Sequence, residues 1–84
     1  MELEETVDGM LSSDYKKRFI AEYQQVKIRW EKLNTMVDRY IYNKLDFEPK
    51  SDISLLIRQA RIMRDYVHTL EERAEQEGIK LEEE

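Results

Sequence analysis

Tyr15, Arg29, Gln59, Tyr66 and Arg73 are the residues whose types and spacing point most directly to chemistry. Guanidinium groups hold phosphate through paired N–H donors. Phenol rings offer faces to a nucleobase, and an amide adds a directional hydrogen bond. The combination suits holding a small anionic ligand. Turnover asks for more, and the sequence does not supply it. His68 is the single histidine, with Arg64 one turn before it and Glu72 one turn after. A His–Glu pair across one turn is ordinary helix surface. No nucleophile is tied to a base and an orienting group, and neither a Gly-rich phosphate loop nor an HExxH metal motif is present. With no cysteine there is no disulfide, no thiolate nucleophile and no Cys-based zinc site. The expectation is a binding protein, not an enzyme, with no catalytic residue, no metal and no cofactor.

Two long elements must position those five residues. Between about 14 and 44, Phe19, Tyr23, Val26, Trp30, Leu33, Val37 and Tyr40 recur at alternating steps of four and three. Between about 52 and 77, Ile53, Leu56, Ala60, Met63, Val67, Leu70 and Ala74 do the same. Such a seam belongs to a helix packed lengthwise on another helix, whereas a strand alternates every second residue. Ser12 and Ser13 are plausible N-caps for the first helix, with Asp14 in its first turn, and Ser51 for the second. Pro49 keeps Glu48 out of helical geometry, and Gly78 is placed to end the second helix left-handed. The connection is short enough to make the helices antiparallel neighbours. The predicted fold is all-α: an antiparallel hairpin over 12–78, preceded by an acidic leader (1–11, with room for a short helix) and followed by an acidic tail (79–84).

Pairing Val26 with Val67 and Leu33 with Ala60 distributes the flanks. One edge then holds Tyr15, Glu22, Arg29 and Met36 against Gln59, Tyr66 and Arg73, with Glu22 near Arg73 and Arg29 near Tyr66. The other holds Lys27 near Glu71 and Asn34 near Arg64. The first edge, with its guanidinium forks, amide and phenols, is the predicted ligand seam.

The chain is 84 residues long, with a net charge of −5. A single core in so small a chain supplies roughly 3–5 kcal/mol. Apolar residues lie off both seams: Ile20, Ile28, Met36, Ile41 and Tyr42 on the first helix, and Leu55, Ile57, Ile62 and Tyr66 on the second. The expectation is a homo-oligomer with a helical-bundle core, or else a leader folded across the hairpin.

Charge is segregated. Residues 1–11 carry four acids and no base, whereas Lys16 to Arg64 contains twelve bases against six acids, a local charge of +6. A basic region of that kind holds an anion even in an acidic molecule. The overall acidity, with a pI near 5.0, argues against a long nucleic acid as partner. Mixed-sign polar faces argue against a membrane surface. No apolar run approaches the ~20 residues that span a bilayer, and the first residues lack the basic and apolar regions of a secretory signal. A cytoplasmic location is expected.

The pattern Leu56, Gln59, Met63, Tyr66, Leu70, Arg73, with Tyr15, Arg18, Phe19, Glu22, Tyr23 and the connection Leu45-Asp46-Phe47-x-Pro49, resembles a family of small helical phage and prophage proteins from gut and Gram-positive bacteria, including relatives in crAss-like phages. The resemblance covers roughly Tyr15 to Leu81. It implies a setting, the cytoplasm of an infected bacterium, and no particular site residue. Small accessory phage proteins often act against host functions, immunity among them. Three expectations follow. The first is a homo-oligomeric anti-defence protein that sequesters a small anionic nucleotide signal, a cyclic oligonucleotide or an ADP-ribose derivative, without turnover. The second is an inhibitor that covers a host immune nuclease or other host immune protein, its acidic ends imitating phosphates. The third is a structural oligomerisation module.

Overall fold

A computed structural model describes residues 1–81. The chain is all-helical there, 42 × 25 × 22 Å in extent. A short 3-10 turn, Leu3–Thr6, runs into α1 (Val7–Met10), followed by α2 (Tyr15–Ile41) and α3 (Ile53–Glu77). The helices α2 and α3 pack antiparallel: Tyr15 meets Glu77 at one end, and Glu22 meets Tyr66 further along.

The helix ends follow local chemistry. Asp14, not Ser12 or Ser13, is the N-cap of α2. Its carboxylate accepts from the Lys16 N–H at 2.9 Å, while the Ser12 hydroxyl accepts from the Asp14 N–H at 3.0 Å. The N-cap of α3 is Asp52, one residue after the expected Ser51. At α2 the Asp beside the Ser supplies a charged acceptor facing the helix dipole, whereas the Asp52 carboxylate caps no helix N–H and instead accepts from the Ser54 hydroxyl at 3.3 Å. α2 ends at Ile41, short of residue 44, because Asn43 adopts a left-handed φ of 61°. The Lys44 N–H then reaches the Arg39 carbonyl at 2.7 Å and closes the helix. Gly78 does the same for α3 at φ 70°, and the Ile79 N–H reaches the Ala74 carbonyl at 2.9 Å.

The core lies toward the open end of the hairpin, away from the connection. Phe19, Tyr23 and Val26 of α2 interlock there with Val67, Leu70 and Ala74 of α3, and Val67 and Leu70 are each only 1% exposed. The turn after Gly78 lays Ile79 on this cluster, with Leu81 partly buried against it. Two residues assigned to the tail thus serve the core; residues 82–84 lie outside the described residues.

The leader is packed, not free. Thr6 is buried, and its hydroxyl donates to the Leu3 carbonyl at 2.7 Å. Gly9 sits so close to α2 that a Cβ there would stand 2.9 Å from the Ala21 Cβ. Ala21 and Ile28 are buried. Ile28 is one of the residues left over by the hairpin seam, so part of the surplus apolar surface is met within the chain. The rest is not. Ile41, Tyr42, Phe47, Leu55 and Ile62 are exposed around the connection end. Among the described residues no helix is long and apolar enough to cross a membrane.

Candidate functional site

The five predicted residues form no single cluster. Tyr15 and Arg73 stand together at the open end and share Glu77. The Tyr15 hydroxyl donates to Glu77 Oε1 at 2.7 Å and accepts from Arg73 at 2.9 Å, and Arg73 donates twice to Glu77 Oε2 at 3.2 Å. The Arg73 guanidinium also lies 4.9 Å from the Phe19 ring centroid, a cation–π contact. Tyr66 donates to Glu22. Glu22 thus faces Tyr66 instead of Arg73, because Tyr15 and Glu77 take Arg73. Gln59 is exposed and, among the described residues, donates only to the Met63 sulfur at 3.8 Å. Arg29 is exposed and makes no hydrogen bond or ion pair among the described residues.

These contacts set the electrostatics of the edge. The Glu77 carboxyl is held below its usual range, chiefly by the Tyr15 hydroxyl and then by Arg73. The phenols move the other way. The hydrogen bond to Glu77 raises Tyr15, and the hydrogen bond to Glu22 raises Tyr66. A raised phenol ionises less readily and so presents less phenolate nucleophile at a given pH, the opposite of activation by a lowered pKa. The signs fix a pH dependence. The lowered carboxyl stabilises the fold above its ordinary value of 4.5, and that contribution is lost as pH falls through the folded value. The raised phenols stabilise it below their ordinary value of 10.0, and theirs is lost as pH rises through the folded values. Urea denaturation of Glu77→Gln is therefore expected to show a shallower loss of stability than wild type on both the acid and the alkaline side. An unchanged profile would mean that water already screens this cluster.

The other edge is built differently. The Tyr23 hydroxyl donates to Glu71 at 2.8 Å, and Lys27 Nζ lies 5.6 Å from the Tyr23 ring centroid. Nearer the connection, α2 and α3 line a groove of about 270 Å³. Val37, Ile57 and Ala60 give it an apolar lining, and Trp30, Asn34, Arg61 and Arg64 also line it. Asn34 and Arg64 thus line one groove, as the flank assignment expects. Trp30 and His68 meet nearly at right angles, with ring centroids 6.3 Å apart. Sequence reasoning treats Trp30 as a seam residue and passes over Arg61. The available signal was the i, i+3 spacing of Arg61 and Arg64, which puts two guanidinium groups on one face.

Among the described residues no group of three or more His, Asp or Glu is placed to hold a metal ion. The family model described as Sequestin matches residues 13–76, the whole span from the α2 cap to the last turn of α3. No curated protein and no solved structure matches the chain.

Proposed function

The chain belongs to the Sequestin family, and on that premise we propose that it is a phage-encoded anti-defence protein that captures a small anionic nucleotide immune signal and holds it without turnover. The family's name speaks of sequestering, which fits a binding role. The observation that carries the reading is the charge of the segment from Lys16 to Arg64: twelve bases against six acids, in a chain whose net charge is −5. The local field attracts a compact anion, while the acidic ends repel a long one. A cyclic oligonucleotide or an ADP-ribose derivative supplies the phosphates and aromatic bases that Arg and Tyr recognise.

The edge of Tyr15, Arg29, Gln59, Tyr66 and Arg73 is a proposed contact for that ligand. Arg29 and Gln59 are available as they stand, whereas Tyr15, Tyr66 and Arg73 must first release Glu77 or Glu22. The exposed Ile41, Tyr42, Phe47, Leu55 and Ile62 support assembly into a homo-oligomer through the connection end. The setting proposed is the cytoplasm of the infected host. Native mass spectrometry of protein purified gently from a lysate in which the immune signal is being made tests the reading. It predicts an oligomer carrying a few extra hundred daltons per site. Protein that leaves such a lysate bare, without lowering the free signal, would contradict it.

A second reading has its own observation. Glu4, Glu5 and Asp8 are exposed on the leader beside exposed Val7, Met10 and Leu11, a surface on which a host immune protein could be covered. Charge reversal, Glu4→Lys with Glu5→Lys, separates the two. Inhibition of a protein target should be lost, whereas capture of a nucleotide should persist.

A further inference from the structure

The groove between α2 and α3 carries cations and neutral polar groups in its lining, unlike three other hollows among the described residues. Arg61, Arg64, Asn34 and Trp30 line it, and no carboxylate does. The hollow beside Met1 and Leu81 is lined by Lys27 together with Glu31. A second, near Thr35, joins Lys32 and Arg39 to Glu31, and Lys32 is already 3.8 Å from Glu2. The hollow at the connection holds Glu48 and no cation. At the open end, Arg73 and Tyr15 are spent on Glu77.

The groove's donors are largely unspent. Arg61 makes no hydrogen bond or ion pair among the described residues, and the Trp30 indole N–H has no acceptor there. Arg64 has one carboxylate near it, that of the adjacent Asp65 at 3.5 Å, and both side chains are at least half exposed. An exposed pair of that kind contributes little and yields readily to a phosphate. Arg61 and Arg64 stand one turn apart on α3, so their forks reach oxygens of the same phosphate or of neighbouring phosphates. The apolar lining of Val37, Ile57 and Ala60 suits the ring portion of a ligand better than its charge.

We propose that this groove is the phosphate seat of the captured nucleotide, with Arg61 and Arg64 on the phosphates, Asn34 and the Trp30 N–H on polar atoms of the sugar or base, and the ring portion against the apolar lining. The inference rests on the capture reading and adds to the proposed edge a separate seat for the phosphates, lined by none of those five residues. At about 270 Å³ the groove is smaller than the roughly 300–1,000 Å³ of pockets that enclose a drug-sized ligand. It therefore grips one end of a nucleotide, the phosphate end.

Trp30 is the only tryptophan of the chain, so its emission reports on this groove alone. The experiment titrates the full chain with ADP-ribose and, separately, with cyclic di-AMP, following heat and tryptophan emission together. The proposal expects saturable heat from at least one probe, with an emission change of the same midpoint. It expects Arg61→Glu and Arg64→Glu each to weaken that binding at least tenfold while the helical circular dichroism is retained, and Arg61→Lys to weaken it less. Lys80→Ala, an exposed change beyond the end of α3, should stay within about twofold of wild type. Binding by calorimetry with silent Trp30, unaffected by either charge reversal, would overturn the groove and leave capture standing. No binding of either probe would overturn the capture reading and the seat with it.

Discussion

Leu70→Ala is expected to lower the unfolding free energy by about 2–5 kcal/mol, the range for emptying a fully buried leucine site. A core of this size supplies only roughly 3–5 kcal/mol, so much of the protein should be unfolded at 25 °C. The reason is the placement of the core. Leu70 is 1% exposed and sits among Phe19, Tyr23, Val26, Val67 and Ala74, with Ile79 folded back onto the same cluster. Few elements surround it, so the cavity has little structure available to collapse into it. The same change at Leu56, which is half-buried at the connection end, should cost clearly less. Urea melts of the two variants check the order. Equal losses, or a larger loss at Leu56, would mean that the core is not concentrated at the open end.

Gly9→Leu is the second large effect. A Cβ at Gly9 would stand 2.9 Å from the Ala21 Cβ and 3.3 Å from the Lys17 carbonyl oxygen. Neither neighbour is the far end of a flexible side chain, so the leader itself must move. Overpacking of this kind costs about 1–3 kcal/mol. Here the cost falls on one element: the leader lifts, and Ala21 and Ile28 are uncovered. Hydrogen exchange should show faster exchange for residues 3–11 with α3 little changed. Uniform protection, equal to wild type, would contradict the close packing of α1 on α2. The packing also shows why deleting residues 1–11 is a poor test of the acidic leader as a protein inhibitor. Deletion removes part of the fold along with the charge, whereas reversal at exposed Glu4 and Glu5 removes the charge alone.

The seam was legible in the sequence because it is a local property. Steps of three and four put Phe19, Tyr23 and Val26 on one stripe, and Val67, Leu70 and Ala74 on another, whatever they meet. What two stripes do at their flanks depends on side-chain reach, which periodicity does not carry. Hence Glu22 was expected beside Arg73 but faces Tyr66, and Arg73 turns along its own helix to Glu77. The surplus apolar surface allowed a leader folded across the hairpin, and the leader does pack on α2, but the place where it docks was illegible for a related reason. It depends on the absence of a side chain at Gly9 and the small one at Ala21, a fit between surfaces and not a pattern of apolar residues. The groove was half legible. The flank assignment brought Asn34 toward Arg64, but Trp30 counted as core because its position lies on the seam. The structure packs that half-buried indole against the core, as its seam position expects, and also along the groove.

The central claim is capture without turnover, and a single mass balance tests it most directly. The purified chain is incubated with ADP-ribose or cyclic di-AMP and passed through a filter that retains protein. The retained protein is then denatured, and the released small molecule is identified and counted. Capture predicts intact probe, recovered at a fixed ratio to chain that does not change with incubation time. Accumulating product, or probe that passes the filter as if no protein were present, would contradict it.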